Sequence, residues 1–164
     1  MKKILVFIIP MFIYSSDVPE MVNRDHIIIE LSKHNYSAGN FYAIDRDGTL
    51  WLSGPVTAGG GKYRTRDGHY NIYRKHRYYM SSKYPDARGI NNMNYSMFFN
   101  GGIALHQGSV RSSSHGCVHI EKKDVSALFK WAKRGTPVII TNNSIRESFT
   151  ERLIKIGELG KKRY

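Results

Sequence analysis

The sequence predicts a mainly β, single-domain protein with one or two peripheral helices. Short runs of β-branched and aromatic residues recur between Gly, Asn and Asp turn signals, whereas convincing helical periodicity appears only towards the C-terminal end. A length of 164 residues with 41% hydrophobic content also suits one ordinary core rather than two. There is no internal repeat and no low-complexity linker.

The chain opens with Lys2 and Lys3, an almost wholly apolar stretch from Ile4 to Tyr14, and small Ser15 and Ser16. This is the pattern of a secretory signal peptide over residues 1–16, and its apolar stretch is shorter than the about 20 residues that span a bilayer. Residues 17–26 read as a connection. Strands are expected at Ile27–Leu31 and Phe41–Ile44, followed by an Asp47-Gly48 turn into a strand at Thr49–Ser53. Gly59-Gly60-Gly61 breaks the chain before two tyrosine-rich candidate strands, Tyr70–Tyr73 and Tyr78–Met80. Met97–Asn100 and Ile103–His106 flank the glycine pair Gly101-Gly102, which permits tight geometry between two extended segments.

The first clear helix follows. Asp124 can cap it, Val125, Leu128, Phe129 and Ala132 share one face, and Gly135 ends it. Thr136–Thr141 is a strand with Pro137 near its start, where a missing donor is tolerated. Residues 142–164 form a terminal amphipathic helix and basic tail: Ser144 and Glu147 have capping-box spacing, and Ile145, Phe149, Leu153 and Ile156 make an apolar stripe. The expected domain is therefore 27–141.

The formal charge is +12, and it remains strongly positive without Lys2 and Lys3. Such a surface favours anionic partners. An exported protein meets little nucleic acid, so that class is set aside in favour of carboxylate-bearing wall peptides and peripheral contact with an anionic membrane or wall surface. A solvated basic surface without a specific partner is the blander alternative, and it is the reading adopted for Lys62, Arg64, Arg66 and Arg111 individually. The tyrosines at 70, 73, 78 and 79 are read as core or strand-face residues. Cys117 is the one cysteine, so no intramolecular disulfide can form, and a free thiol outside the cytosol is a liability unless it is buried or useful.

Its neighbours favour usefulness. His106, Ser114, His115, Cys117 and His119 fall within a short stretch. A nucleophilic cysteine needs an imidazole or local positive potential to ionise, and His106 and His115 are both candidates. Gly116 allows a sharp turn that exposes the sulfur and frees backbone amides to face a developing oxyanion. Zinc could in principle use the same nitrogen and sulfur groups, but no CxxC or HExxH pattern supports a metal site, and none is expected.

Ile103-Ala104-Leu105-His106-Gln107-Gly108 followed by Ser114-His115-Gly116-Cys117-Val118-His119 resembles the signature of the L,D-transpeptidases, the YkuD-type catalytic domain. Val56-Thr57-Ala58-Gly59, Arg66-Asp67-Gly68-His69-Tyr70 and the stretch from Asp124 to Val138 resemble further parts of that family, so the likeness covers residues 27–141. It implies a β-sandwich-like fold with the site in a cleft between strands. It also implies Cys117 as nucleophile, His106 as base, and His115, Gly116 and Ser114 as residues shaping the site and its oxyanion pocket, with His119 behind them.

Two departures stand out: the short interval from His106 to Cys117, and His119 where many members carry Asn or Arg. The implied activity is transfer of a peptidoglycan stem-peptide acyl group through a thioester, with release of terminal D-alanine, by an exported, cofactor-free monomer in the periplasm or cell envelope. Carbapenem sensitivity is implied with it. Carboxypeptidase action, hydrolysis of a peptidoglycan–lipoprotein link, and a silent wall-binding module remain alternatives, and the acyl acceptor stays open.

Overall fold

The computed structural model describes residues 24–35 and 37–144. The leader, most of the 17–26 connection and the C-terminal amphipathic helix lie outside the described residues. Within them one nine-stranded sheet curls around the core, with a single α-helix against it. The strands are β1 (His26–Leu31), β2 (Ala38–Ile44), β3 (Leu50–Thr57), β4 (Gly68–Asn71), β5 (Arg74–His76), β6 (Ser96–Asn100), β7 (Ile103–Gln107), β8 (Val118–Ile120) and β9 (Pro137–Thr141), and α1 spans Lys122–Trp131. The sheet order is β4-β9-β1-β2-β3-β8-β7-β6-β5. Pairing is antiparallel except for β1 with β9 and β7 with β8.

Period-two alternation sets the faces. In β1, Ile27, Ile29 and Leu31 are buried while Ile28 and Glu30 are half-buried. The β6–β7 pair is covered on both faces, which explains its nearly unbroken apolar reading. Met97, Phe99 and Leu105 join the main core with Val118, Ile120 and Leu128. Phe98 and Ala104 instead pack with Met93, and Tyr79 and Cys117 lie against that second cluster. Ala104 and His106 therefore point away from the main core, and so do Cys117 and His119 in the neighbouring segment.

The main strands agree with expectation, but three local expectations change. Residues 78–80 are not a strand. The chain pairs only as far as His76, and the Tyr79 ring then packs on His76 and Phe98, with centroids 5.2 and 5.1 Å away. Side-chain burial against the sheet replaces ladder pairing there. Asp124 sits in the first turn of α1, whose N-cap is Glu121; Asp124 still suits the positive end of the helix dipole. The helix ends at Trp131 rather than at Gly135, which lies in the following turn with φ +89°.

Two side chains fasten the C-terminal end of α1. Trp131 stacks on Trp51 with centroids 5.4 Å apart and donates its indole N–H to Asp45 Oδ1 at 2.9 Å. Lys75 donates its ammonium to the carbonyls of Phe129, at 2.6 Å, and Ala132. A cation on orphan carbonyls at the negative end of a helix satisfies both hydrogen bonding and the dipole. Replacing it, Lys75→Met, is expected to lower stability by about 1–3 kcal/mol, read from the urea midpoint. A midpoint equal to that of the wild type would show that water caps this end equally well.

Candidate active site

Gln107, His106 and Leu105 pair with Ile120, His119 and Val118 in parallel register. The two histidines are thus direct neighbours on one face of the sheet, with ring centroids 4.8 Å apart and planes at 72°. His106 is 5% exposed. Its Nδ1 lies 2.8 Å from the Gln107 carbonyl, which fixes Nδ1 as the protonated nitrogen and leaves Nε2 with its lone pair. Burial, with the neighbouring His119 second, pulls the His106 pKa down to about 4, against a smaller opposing effect of the Gln107 hydrogen bond. His119 holds the Ser109 carbonyl through Nδ1 at 3.2 Å, and burial lowers its pKa too.

Cys117 emerges from a turn built by its neighbours. Gly116 has φ +114°, a conformation that a side chain would strain, and Gly59 must also be glycine because a Cβ there would lie 2.7 Å from Gly116 Cα. Ser114 Oγ donates to the Cys117 carbonyl and accepts the Gly116 N–H at 3.0 Å. Ser114 therefore caps the turn rather than an imidazole. The same bond corrects one expectation: the Gly116 amide is spent inside the turn and is not free for an oxyanion. The Cys117 thiol faces the Gly102 carbonyl at 3.9 Å. Burial raises its pKa, opposed by the Ala104 backbone. Thiol and imidazole are both shifted towards their neutral forms, as expected for groups withdrawn from water.

Two threonines anchor this turn and the loop before it. Thr65, 1% exposed, donates to Gly116 O at 2.8 Å and accepts Gly59 N–H at 2.9 Å. Thr57 Oγ1 lies 2.8 and 2.9 Å from the carbonyls of Ser109 and Ser112, and Ser114 N–H donates to Ala58 O at 3.0 Å. His115 is exposed. Its ring meets Tyr63 edge-on at 4.6 Å and stacks on Tyr84 at 4.4 Å, with 20° between planes.

His106, Ser114, His115, Cys117 and His119 all line one cleft of about 570 Å³. Its other wall comes from Arg74, Tyr79, Tyr84 and Met93, which were not singled out as site residues from the sequence. The segment between β5 and β6 that supplies most of that wall is tied internally. Asn92 Oδ1 accepts Ser81 N–H and its Nδ2 donates to the Tyr84 carbonyl, at 2.9 and 2.7 Å. Lys62, Arg64, Arg66 and Arg111 do not line the cleft. Its cations are Arg74 and Lys83, and no carboxylate is among the described residues that line it. Among the described residues, no three His, Cys, Asp or Glu side chains are grouped to hold a metal ion.

The L,D-transpeptidase catalytic domain (YkuD) matches residues 24–140 of the chain. Among solved structures, an L,D-transpeptidase (Yku) from Stackebrandtia nassauensis is similar at 22% identity over 74% of this chain and 57% of that one, with a TM-score of 0.59. An Enterococcus faecium L,D-transpeptidase is similar at 19% identity over 73% and 50%, with a TM-score of 0.58. Mycobacterium tuberculosis L,D-transpeptidase 1 is similar at 18% identity over 71% and 62%, with a TM-score of 0.54. Another match is an L,D-transpeptidase in complex with imipenem. These likenesses establish the fold, and the matched part spans only about half to three-fifths of those proteins. No curated protein matches the chain.

Thr65→Val is the sharpest test of how the turn is held. It strands the buried Gly116 carbonyl and Gly59 amide, at roughly 1–3 kcal/mol each, so thermal unfolding should shift clearly downwards. The rate of Cys117 alkylation by iodoacetamide should change with it. An unaltered melting temperature and alkylation rate would mean that the turn holds without Thr65.

Proposed function

The chain belongs to the L,D-transpeptidase (YkuD) catalytic-domain family, and from that premise we propose that it is a cysteine-dependent L,D-transpeptidase of the cell envelope acting on peptidoglycan stem peptides. The observation that carries this reading is a thiol and a buried imidazole on one cleft, the imidazole held by the Gln107 carbonyl with Nε2 left available. The exported, cofactor-free, monomeric character and the domain bounds of 27–141 belong to the same proposal.

The thiol of Cys117 attacks the carbonyl of the third stem-peptide residue as His106 Nε2 takes its proton. The oxyanion is held by backbone amide donation, with Cys117 N–H as the turn's remaining candidate and each donor worth about 3 kcal/mol. Collapse breaks the bond to terminal D-alanine, whose amine receives the proton from the imidazolium, and a thioester remains. An amine of a second peptide then attacks that carbonyl, gives its proton to His106, and releases Cys117, which recovers its proton. Both protein groups start neutral, so the proton moves during attack and no ion pair need persist in the free protein. His115, held between two tyrosines, borders the entrance instead of sharing the proton path.

Mass spectrometry of the protein incubated with a disaccharide-tetrapeptide tests this directly. Crosslinked dimer and free D-alanine are expected from the wild type and neither from Cys117→Ala, while His106→Ala should be slower by about 10²–10⁴-fold. Trimmed tripeptide without dimer would move the reading to a carboxypeptidase, and a lack of any cysteine-dependent product would overturn it.

The pH dependence follows from His106. With a folded pKa of about 4, the imidazole is already a base at pH 5, so the acid limb of carbapenem acylation of Cys117 should lie near pH 4 and not near 6.5. His119→Gln removes a neighbouring charge that disfavours imidazolium, so the limb should move upwards. A wild-type limb near 6.5 would contradict the burial argument.

A further inference from the structure

A second concavity adjoins the cleft and shares Arg74 with it. It is an open groove of about 640 Å³ lined by Tyr73, Arg74, Lys75, His76 and Arg134, with no carboxylate among them. It runs along β5, the outermost strand on that side of the sheet, and is completed by the turn after α1. Its cations differ in availability. Lys75 is occupied by the carbonyls that end α1. The Arg74 guanidinium carbon lies 4.2 Å over the Phe98 ring and 5.6 Å from the Tyr79 ring, so the cation is backed by two aromatic rings. Neither Arg74 nor Arg134 is paired with a carboxylate among the described residues. The groove thus offers a guanidinium backed by aromatic rings and a second exposed one, with no acid among the described residues that line it.

A planar guanidinium matches the two oxygens of a carboxylate, and one fixed by stacking loses less freedom on binding. We propose that this groove is a carboxylate-binding subsite for an acidic peptide, and that it holds the acyl-acceptor peptide beside the thioester. The proposal rests on the transpeptidase reading for the acceptor role, but not for the carboxylate preference. Continuity through Arg74 is the physical reason for the acceptor. A peptide anchored between Arg134 and Arg74 lies outside the cleft that the acyl donor fills, and its amine can enter at the shared wall. A carboxylate of the donor peptide is the competing source of the same chemistry.

Two measurements on the full chain separate these. In the first, Cys117→Ala protein is titrated by NMR with acetyl-Glu-Glu amide and with its uncharged analogue acetyl-Gln-Gln amide. The dicarboxylate is expected to shift the His76 ring and the arginine side-chain signals, and Arg134→Gln should weaken it about fivefold, the upper range for an exposed pair. Equal binding of the diamide, or shifts confined to other surfaces, overturns the subsite.

In the second, acceptor amines with free and amidated carboxylates are compared. Arg134→Gln should raise KM for the carboxylated acceptor alone and leave carbapenem acylation of Cys117 unchanged. Slower acylation or a raised donor KM overturns the acceptor assignment in favour of the donor. Wild-type protein that binds the dicarboxylate in the groove yet transfers to no acceptor overturns the transpeptidase reading while supporting the carboxylate preference.

Discussion

A parallel ladder three pairs long, between β7 and β8, sets the positions of His106 and His119 and of the turn that carries Cys117. Parallel neighbours ordinarily need a long crossover, because the chain must return to the end of the sheet from which it started. Here β8 begins opposite Leu105, so the return covers only about 7 Å at some 3.3 Å per residue, and a loop without a helix suffices. Such a loop carries many polar backbone groups and little apolar surface of its own. Its carbonyls and amides are therefore taken up by partners distant in sequence: Thr57 for Ser109 and Ser112, Ala58 for Ser114, and Thr65 for Gly116. Without those anchors, alternation would still turn Cys117 and His119 away from the core, but the height of the sulfur above the sheet would be undetermined.

The same placement explains the protonation states. A thiol and an imidazole on an exposed strand would titrate near their ordinary values. Beneath the wall formed by Tyr79, Tyr84 and Met93 both are drawn from water, and desolvation disfavours each charged form, lifting the thiol and lowering the imidazole. His119 adds a second group that would rather not see imidazolium beside it. The cost of that arrangement is a less ionised sulfur. Its gain is a base that remains unprotonated across the neutral and mildly acidic range and a sulfur that does not sit as an exposed thiolate.

Much of this could be read from the sequence because its signals are local. Alternation in Ile27–Leu31 marks the buried face of β1, and the clustering of His106, Ser114, His115, Cys117 and His119 marks the cleft, since a short loop cannot carry those residues far apart. The anchors and the second wall have no such signal. Nothing near Thr65 announces that its hydroxyl bridges a glycine amide six residues before it and a carbonyl far later in the chain. The stretch between β5 and β6 has neither helical nor strand period, and its tyrosines look like strand residues until Tyr79 is seen lying on Phe98. Asp124 was a reasonable cap by type, but the apolar face of α1 is entered one turn earlier, at Glu121. Arg74 belongs to the same class, because only tertiary structure brings a β5 residue to the wall opposite the cysteine.

Charge distribution gives the cleft its direction. A uniformly basic surface would attract anions everywhere and select none, and at physiological ionic strength its field fades within about 8 Å. The cleft is different because its two cations face no carboxylate among the described lining residues, and one of them is held over aromatic rings. Two arginines elsewhere are neutralised locally: Arg88 is paired with Asp86 at 3.0 Å, and Arg64 with Asp67 at 3.4 Å. Basic side chains near the cysteine in sequence are thus not the ones at the site, and the chain's excess charge acts over long range while Arg74 and Lys83 act at contact. For a substrate bearing several carboxylates, the first effect raises the encounter rate and the second orients what arrives.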